Sequence, residues 1–192
     1  MKKIILLISI FTVFTAYSQE IILPLNYEGS KDVPERGYLK DLFDVFNPYI
    51  GTWQGTWNGK TFILKIEKVT KELHSFESGY FYYRDRLIGK YIVKDNATGS
   101  IISTTMNNVN LQEAEIKSLA YPKENKFEFL YETGDECYVT GKIRLKGNPA
   151  TNQLQYFYFP DEFWRFEECH VASAAEVLIP IPTEPMILTR VN

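Results

Sequence analysis

Apolar and polar residues alternate most clearly on either side of Asn58-Gly59. Asn-Gly favours a two-residue type I′ turn, because both central positions of that turn need positive φ angles. This turn pairs Gly51–Trp57 with Lys60–Ile66. One face of the hairpin is then aromatic and aliphatic, and the other face is mostly polar. Turn chemistry and alternation therefore predict the same hairpin in the same register.

The rest of the chain predicts further strands, separated by turn residues about every eight to twelve positions. Apolar and polar residues alternate most regularly in the strand that begins at Cys137. The predicted strands are Phe76–Tyr83, Leu87–Val93, Ser100–Met106, Glu113–Tyr121, Phe127–Tyr131, Cys137–Leu145, Leu154–Phe159, Phe163–Glu167 and Met186–Val191. This spacing is typical of an all-β sandwich or barrel.

Two charged segments are interpreted as exposed turns between these strands. Arg84-Asp85-Arg86 is read as a solvated turn, and a local ion pair in such a turn contributes little stability. Pro160-Asp161 is read as a tight turn, where acidic residues are ordinary. We therefore expect neither segment to carry function.

One short helix is predicted before the hairpin. The segment Tyr38–Phe46 is followed by Pro48, which ends the helix. Four apolar residues in this segment are spaced to line one helical face: Leu39, Leu42, Phe43 and Phe46. We expect this helix to pack on one end of the sheet.

The amino terminus has the pattern of a secretory signal peptide. A basic start, Lys2-Lys3, precedes the uncharged and mostly apolar run Ile4–Phe14. Ala16 and Ser18 are then small residues at −3 and −1 of a cut before Gln19. The apolar run is shorter than the roughly 20 residues of a membrane-spanning helix, and no Cys lies near the cut to carry a lipid. We expect an exported chain, periplasmic or extracellular, without a membrane anchor.

The predicted cut divides the chain into three parts. Residues 1–18 are the signal peptide, 19–36 are an irregular lead-in with one short strand at Ile21–Leu23, and 37–192 are a single β-barrel domain. Loss of Lys2-Lys3 leaves 19 of the 21 basic residues against 24 acidic ones. Because nucleic-acid partners require clustered Lys and Arg, this charge argues against them. The oligomeric state stays open.

Candidate redox, metal and catalytic residues are few. Cys137 and Cys169 are the only cysteines, and an even pair in an exported chain fits either a disulfide or two buried thiols. His170 follows Glu167-Glu168-Cys169, but too few further ligands fall at metal-binding spacing. The sequence contains no phosphate-binding loop, nucleophile elbow or zinc-protease motif. It therefore predicts no enzyme activity, no metal and no cofactor.

Two separated elements resemble the lipocalin and calycin pattern. Gly51-Thr52-Trp53 opens the first strand after the predicted helix, and Arg190 lies on the last strand. In that family the Trp of Gly-x-Trp lies at the closed end of an antiparallel up-and-down barrel, beneath a basic residue of the last strand. The resemblance implies structural roles for Gly51, Trp53 and Arg190. The long Pro-rich segment before the last strand departs from the pattern and leaves closure of the barrel open.

The chain as a whole also resembles a family of small exported bacterial proteins of unknown function. The shared features are Gly51-Thr52-Trp53, Asn58-Gly59-Lys60-Thr61-Phe62, Asp85-Arg86-Leu87-Ile88-Gly89 and Pro-x-x-Leu-Thr-Arg at 185–190. This resemblance implies a fold and an exported location, and no chemistry.

Two functions remain open from the sequence. In the first, a hollow barrel binds a small apolar or amphipathic molecule. The candidate ligand contacts are Trp57, Tyr80, Tyr82, Phe129 and Tyr131. In the second, the barrel is filled by its own side chains, and the protein is an interaction or structural module with partners at Gln155–Phe166. A cavity inside the barrel favours the first function, and a filled barrel with an exposed aromatic patch favours the second.

Overall fold

The computed structural model describes residues 20–27, 33–108, 110, 113–119, 121–123, 126–134, 139–147, 151–163, 169 and 179–191. Eleven β-strands and one 3-10 turn lie within these ranges. The strands are β1 (Ile22–Pro24), β2 (Tyr38–Lys40), β3 (Gly51–Trp57), β4 (Lys60–Ser75), β5 (Phe81–Asp95), β6 (Ile101–Thr104), β7 (Ile116–Ser118), β8 (Lys126–Glu132), β9 (Val139–Lys146), β10 (Gln153–Phe163) and β11 (Met186–Val191). The 3-10 turn is Asn47–Tyr49.

Eight of the strands close into an antiparallel barrel. Their order around the barrel is β3, β4, β5, β7, β8, β9, β10 and β11, and β11 pairs with β3 to complete the ring. Strands that are neighbours in the barrel are also consecutive along the chain, with two exceptions. One is the closure of β11 on β3, and the other is the step from β5 to β7, because the intervening β6 pairs only with the end of β5. The predicted all-β antiparallel barrel with up-and-down connections is confirmed, and the Pro-rich segment before β11 does not prevent closure.

The predicted hairpin has the predicted register. Gly51–Trp57 pairs with Lys60–Ile66, and every pair matches the one expected from the turn. Asn58 and Gly59 have φ angles of 45° and 72°, as a type I′ turn requires. Trp53 is fully buried on the inner face. A local turn signal and a period-2 pattern were therefore sufficient to predict this part of the barrel.

The barrel interior is filled by the protein's own side chains. Each of the eight barrel strands contributes at least one side chain to a single contiguous core. The largest of the fully buried ones are Trp53, Phe62, Tyr91, Phe127, Phe129, Tyr131 and Tyr156. Aromatic rings meet at short distances inside the core, such as the 4.7 Å between the ring centroids of Phe127 and Phe129. This packing argues against the hollow barrel of the first sequence-based hypothesis.

Both ends of the barrel are covered by connecting segments. At the end where β3 begins, Phe46 and Tyr49 join the core from the segment around the 3-10 turn. At the opposite end, Ile181 is buried in the core, and the hydroxyl of Tyr156 donates to the carbonyl oxygen of Pro182 at 3.0 Å. The Pro-rich segment therefore covers the end of the barrel at which β3 turns into β4.

The predicted helix at Tyr38–Phe46 is wrong. The described residues contain no α-helix, and Tyr38–Lys40 is strand β2. The side chain of Asp41 accepts hydrogen bonds from the backbone N–H groups of Val45 and Phe46, at 2.9 and 3.3 Å, which stabilises turns instead of a helix. Phe43, expected on the packed face, is 70% exposed. No helix in the described part of the chain is both long and apolar enough to span a membrane.

Both predicted turns at charged segments are also wrong. Arg84-Asp85-Arg86 lies within β5, and the chain instead turns before that strand, where the N–H of Gly79 donates to the carbonyl of Phe76. Likewise β10 continues through Pro160, with an irregularity in its pairing to β9 between Pro160 and Phe163. A proline is tolerated in a strand at such a bulge.

Beyond the barrel, β4 and β5 continue as a long hairpin to which two short strands are added. β2 pairs in parallel with β5 at Tyr83 and Arg84, and β1 pairs in parallel with β2. Further along, the same edge of β5 pairs with β7 at Ile88 and Gly89. Between these two sets of pairs β5 changes its neighbour from β2 to β7. That change leaves a notch beside residues 85–87.

Candidate functional site

A cleft of about 290 Å³ opens at this notch, outside the barrel. We call it the β5 cleft. The turn after β1, residues 25–27, forms one wall. The other wall includes Ser118 at the end of β7, and Leu119, Tyr121 and Lys123 beyond it. The hydroxyl of Ser118 accepts the N–H of Leu87 at 3.0 Å, which holds the second wall against β5. The cleft exists because β2 and β7 do not meet along the edge of β5.

Apolar side chains form much of the surface of the β5 cleft. They are Leu25, Tyr27, Leu39, Phe46, Tyr82, Leu119 and Tyr121. Leu39 and Tyr82 are buried in a small second core outside the barrel, whereas Leu119 is 38% exposed. A concave surface of this kind, partly supported by core residues and partly open to solvent, suits the apolar part of a small ligand.

Two arginines lie side by side on β5 at one edge of the cleft. Arg84 and Arg86 flank the carboxylate of Glu72, which reaches them from β4. Nη1 of Arg86 donates to Oε1 of Glu72 at 3.2 Å, and Nε of Arg86 lies 3.2 Å from Oε2. Nε of Arg84 lies 3.7 Å from Oε2, too far for a hydrogen bond. One carboxylate therefore faces two guanidinium groups.

Asp85, between these arginines, points away from them into a buried polar network. It accepts the hydroxyl of Tyr38 and the backbone N–H groups of Asp41 and Lys71, the latter two at 3.0 and 3.1 Å. Nζ of Lys68 lies 3.6 Å from Asp85 and 3.0 Å from Asp41. Burial, and then the hydrogen bond to Asp85, raise the pKa of Tyr38 well above its usual range. Within the described part of the chain, Asp85 thus forms its ion pair with Lys68 and not with either arginine.

The charged groups around the cleft have a net positive charge, although the protein as a whole is acidic. The cations are Arg84, Arg86, Lys123 and Lys68, and the carboxylates are Glu72, Asp85 and Asp41. Burial, followed by the charge of Arg84, lowers the pKa of His74, so this neighbour is neutral at pH 7. Four cations thus stand against three carboxylates, whereas the whole chain has a net charge of −3. The local field favours an anionic group.

The residues of the Gly-x-Trp resemblance meet at the barrel end where β3 begins. The guanidinium carbon of Arg190 lies 4.3 Å from the centre of the Trp53 ring. The two Nη atoms of Arg190 donate to the carbonyl oxygens of Ile50 and Pro48, the former at 2.7 Å. Gly51 has a φ of 132°, and an added Cβ would lie 2.9 Å from Nη1 of Arg190. This arrangement links the first barrel strand, the last strand and the 3-10 turn.

The five candidate ligand contacts do not form one site. Phe129 and Tyr131 are buried in the filled interior of the barrel. Trp57 is half-buried at the β3–β4 turn, with Nζ of Lys60 lying 5.5 Å from its ring centre. Tyr80 and Tyr82 lie outside the barrel, and of the five only Tyr82 lines the β5 cleft.

The cysteine and metal predictions fall largely outside the described residues. Cys169 is buried. Cys137 lies outside the described residues, as do His170 and Glu167-Glu168, so the pairing of Cys137 with Cys169 stays a prediction. Among the residues that the structure describes, no group of three or more His, Cys, Asp or Glu side chains is placed to hold a metal ion.

A second cleft, of about 510 Å³, lies on the other face of the long hairpin. Nζ of Lys71 pairs there with Glu20 at 2.8 Å and lies 5.2 Å from the ring centre of Tyr83. The guanidinium of Arg36 lies 5.9 Å from the ring centre of Phe81. Lys71 and Arg36, the cations of this second cleft, thus already contact groups of the protein. The β5 cleft is therefore the stronger candidate.

Sequence reasoning missed the arginines of the β5 cleft. It assigned Arg84-Asp85-Arg86 to a turn because three charged residues follow one another. One signal pointed the other way: 80–88 contains neither Gly nor Pro, and Tyr82 lies at the same strand parity as both arginines. The second wall of the cleft had no such signal, because Ser118 is 31 residues away from Leu87, its partner in β5.

Comparison with known proteins gives one match. A family model described as "Family of unknown function (DUF6705)" matches residues 1–142, which is about three quarters of the chain. No curated protein and no solved structure matches the chain. The match carries no activity, so any functional conclusion depends on the geometry of the chain itself.

Proposed function

The chain belongs to the DUF6705 family of unknown function, and from this premise we propose that it is an exported protein that binds a small amphipathic molecule in the β5 cleft. One observation carries the proposal. The cleft combines an apolar surface, which includes Leu39 and Tyr82, with the under-neutralised guanidinium of Arg84. An amphipathic molecule has both kinds of surface.

The packing of the barrel supports a site outside it. Phe129 and Tyr131, which were candidate ligand contacts, are fully buried among other core side chains. A ligand inside the barrel would have to displace close-packed aromatic groups, which costs several kcal/mol. Binding in the β5 cleft needs no such change. The notch beside β5 is therefore the better place for a ligand.

We propose in addition that the barrel is lipocalin-like. The support is the set of contacts among Gly51, Trp53 and Arg190, which ties the last strand over the Trp of a Gly-x-Trp segment. In this proposal the protein keeps the scaffold pattern of that family, and its ligand site lies on the outer side of the barrel.

Export rests on the signal-peptide pattern of 1–18, which lies outside the described residues. We expect intact-mass analysis of the protein from the periplasmic or extracellular fraction of its host to show a chain that begins at Gln19. A matched sample with Ala16→Arg and Ser18→Arg should retain the leader, because the cleavage site requires small residues. Full-length wild-type protein confined to the cytosolic fraction would contradict export.

Ligand binding is tested by titrating the purified protein with 1-octanol, an uncharged amphipathic probe. We expect saturable amide shifts at Leu39 and Ser118 in two-dimensional NMR spectra, because both residues lie in the cleft. Leu119→Asn should weaken binding about fivefold by removing apolar contact area. Leu73→Asn is the matched control: this leucine is similarly exposed but does not line the cleft. It should leave the affinity within twofold.

A result in which 1-octanol causes no saturable shift at any concentration it reaches in water would contradict the proposal. The second function, an interaction module, would then be favoured by a cluster of aromatic rings at the tip of the long hairpin. The ring of Phe76 lies there between His74 and Tyr80, with centroid distances of 4.8 and 5.4 Å. Phe76 is 46% exposed, so this cluster offers aromatic surface to a partner.

A further inference from the structure

We propose that the molecule bound in the β5 cleft is an amphipathic carboxylate whose head group is held by Arg84 and Arg86. This inference rests on the proposed function and adds the charge and the chemical class of the ligand. The two arginines belong to the same face of β5, two residues apart, as successive outward-facing positions of a strand do. Their guanidinium groups therefore lie next to each other at the edge of the cleft.

Arg84 retains most of its donor capacity for a ligand. Within the described part of the chain its one ion-pair partner is Glu72 at 3.7 Å, and no hydrogen bond involves its guanidinium group. An arginine presents five N–H donors in a planar fork that matches a carboxylate in two-point geometry. The Nε atom of Arg84 is buried without a hydrogen bond, whereas solvent reaches the Nη groups at the end of the side chain. A carboxylate at the cleft edge would accept hydrogen bonds from these Nη groups.

Glu72 acts as an internal counter-ion to this arginine pair. Its carboxylate is about nine-tenths buried and already accepts from Arg86. Its negative charge therefore offsets part of the attraction that the two arginines would exert on an anionic ligand. The protein provides one carboxylate where two guanidinium groups converge, and a second carboxylate, from a ligand, would complete the pairing.

The volume of the cleft also indicates how large an apolar tail it can enclose. A volume of about 290 Å³ corresponds to about ten non-hydrogen atoms, if each takes about the 30 Å³ of a water molecule in the liquid. Octanoate, with eight carbons and two oxygens, is the matching probe. Its tail would lie along Leu39 and Tyr82, and its head group would face Arg84.

The test compares three probes with the same tail and different head groups, by calorimetry and NMR on the full mature protein. We expect octanoate to bind about tenfold or more tightly than 1-octanol, because hydrogen bonds between charged groups are stronger than neutral ones. Octylammonium should show no saturable binding, because the cations of the cleft repel it. Each probe that binds should shift the amide signals of Leu39 and Ser118, because both residues line the cleft.

Two variants with opposite expected effects distinguish a binding role from a structural one. Arg84→Gln should weaken octanoate about tenfold and leave 1-octanol within twofold. Glu72→Gln should strengthen octanoate several-fold, because it removes the internal competitor for the arginines. Arg144→Gln is the matched control: this arginine pairs with Glu128 at 2.8 Å on the outside of the barrel, away from the cleft. It should change neither affinity by more than twofold.

The possible results separate this inference from the proposed function. If octanoate and 1-octanol bind at the cleft with equal affinity, the carboxylate inference is overturned and the proposed function stands. If neither probe binds, both are overturned. If Glu72→Gln weakens octanoate as much as Arg84→Gln does, the arginine pair is structural. Because loss of folding cannot strengthen binding, Glu72→Gln keeps the test decisive even if Arg84→Gln does not fold.

Discussion

Replacing Trp53 by Ala is expected to lower the free energy of unfolding by about 3–5 kcal/mol, the usual cost of truncating a fully buried large aromatic side chain. Trp53 has no exposed surface, and its indole Nε1 donates to the carbonyl oxygen of Tyr49 at 2.8 Å. The variant therefore loses packing, a hydrogen bond and the surface under Arg190. Urea unfolding followed by circular dichroism measures the effect. Trp57→Ala is the matched control, and should cost clearly less because Trp57 is only half-buried.

The contact between Trp53 and Arg190 is measured by a double-mutant cycle in the same unfolding assay. A cation over an indole ring contributes about 0.5–1 kcal/mol at an exposed site and about 2 or more when desolvated. We expect a coupling energy in this range. Arg190→Lys should cost less than Arg190→Ala, since it retains the charge but loses the planar stack and the second carbonyl contact. Additivity within about 0.3–0.5 kcal/mol would show that the two residues do not interact.

Replacing Asp85 by Ala is the second change with a large expected effect. Asp85 is almost completely buried, and the substitution leaves the hydroxyl of Tyr38 and the N–H groups of Asp41 and Lys71 without their acceptor. Lys68 also loses one of its two carboxylates. Breaking a buried ionic network by removing one member typically costs about 3–5 kcal/mol. We expect a loss of stability in this range.

Asp85→Asn keeps the shape and one acceptor oxygen, so its effect should lie between that of Asp85→Ala and zero. The control is Asp161→Asn, because Asp161 is exposed and its ion pair with Lys142 spans 3.7 Å. Exposed pairs contribute about 0–1 kcal/mol, so the control should change little. Equal, small effects of Asp85→Asn and Asp161→Asn in urea unfolding would show that Asp85 is solvated, as the sequence alone had indicated.

The hairpin from Gly51 to Ile66 could be predicted from sequence because two independent signals coincide. Asn58-Gly59 selects the turn type, and the period-2 pattern of Trp53 and Phe62 selects the inner face. Both signals are local, so no distant contact was needed. The closure of β11 on β3 was implied by resemblance alone, through Trp53 and Arg190, which the structure places opposite each other.

The predicted helix failed because its pattern has another explanation in the folded chain. Leu39 is buried through strand pairing in β2 and Phe46 through the barrel end, so the apolar spacing has two unrelated causes. Asp41 holds the intervening turns, and Asp44 has a φ of 52°, which a helix does not allow. Periodicity cannot distinguish one helical face from two separate burial sites.

The β5 cleft could not be predicted because its parts are far apart in sequence. Its walls come from residues near 25, 85 and 118, and they meet only because β5 exchanges β2 for β7 along one edge. Three adjacent charges in Arg84-Asp85-Arg86 suggested solvent on both sides. In a strand, however, neighbouring side chains point to opposite faces, so the carboxylate of Asp85 joins a buried polar network while the side chains of Arg84 and Arg86 lie on the other face.

The central claim is that the ligand site lies in the β5 cleft, outside a barrel that is filled by its own side chains. Intermolecular nuclear Overhauser effects between the alkyl protons of bound octanoate and the protein test it most directly. We predict contacts from the tail to Leu39 and Tyr82, and none to Phe129 or Tyr131. Contacts to Phe129 and Tyr131 without any to Leu39 or Tyr82 would place the ligand inside the barrel and contradict the account.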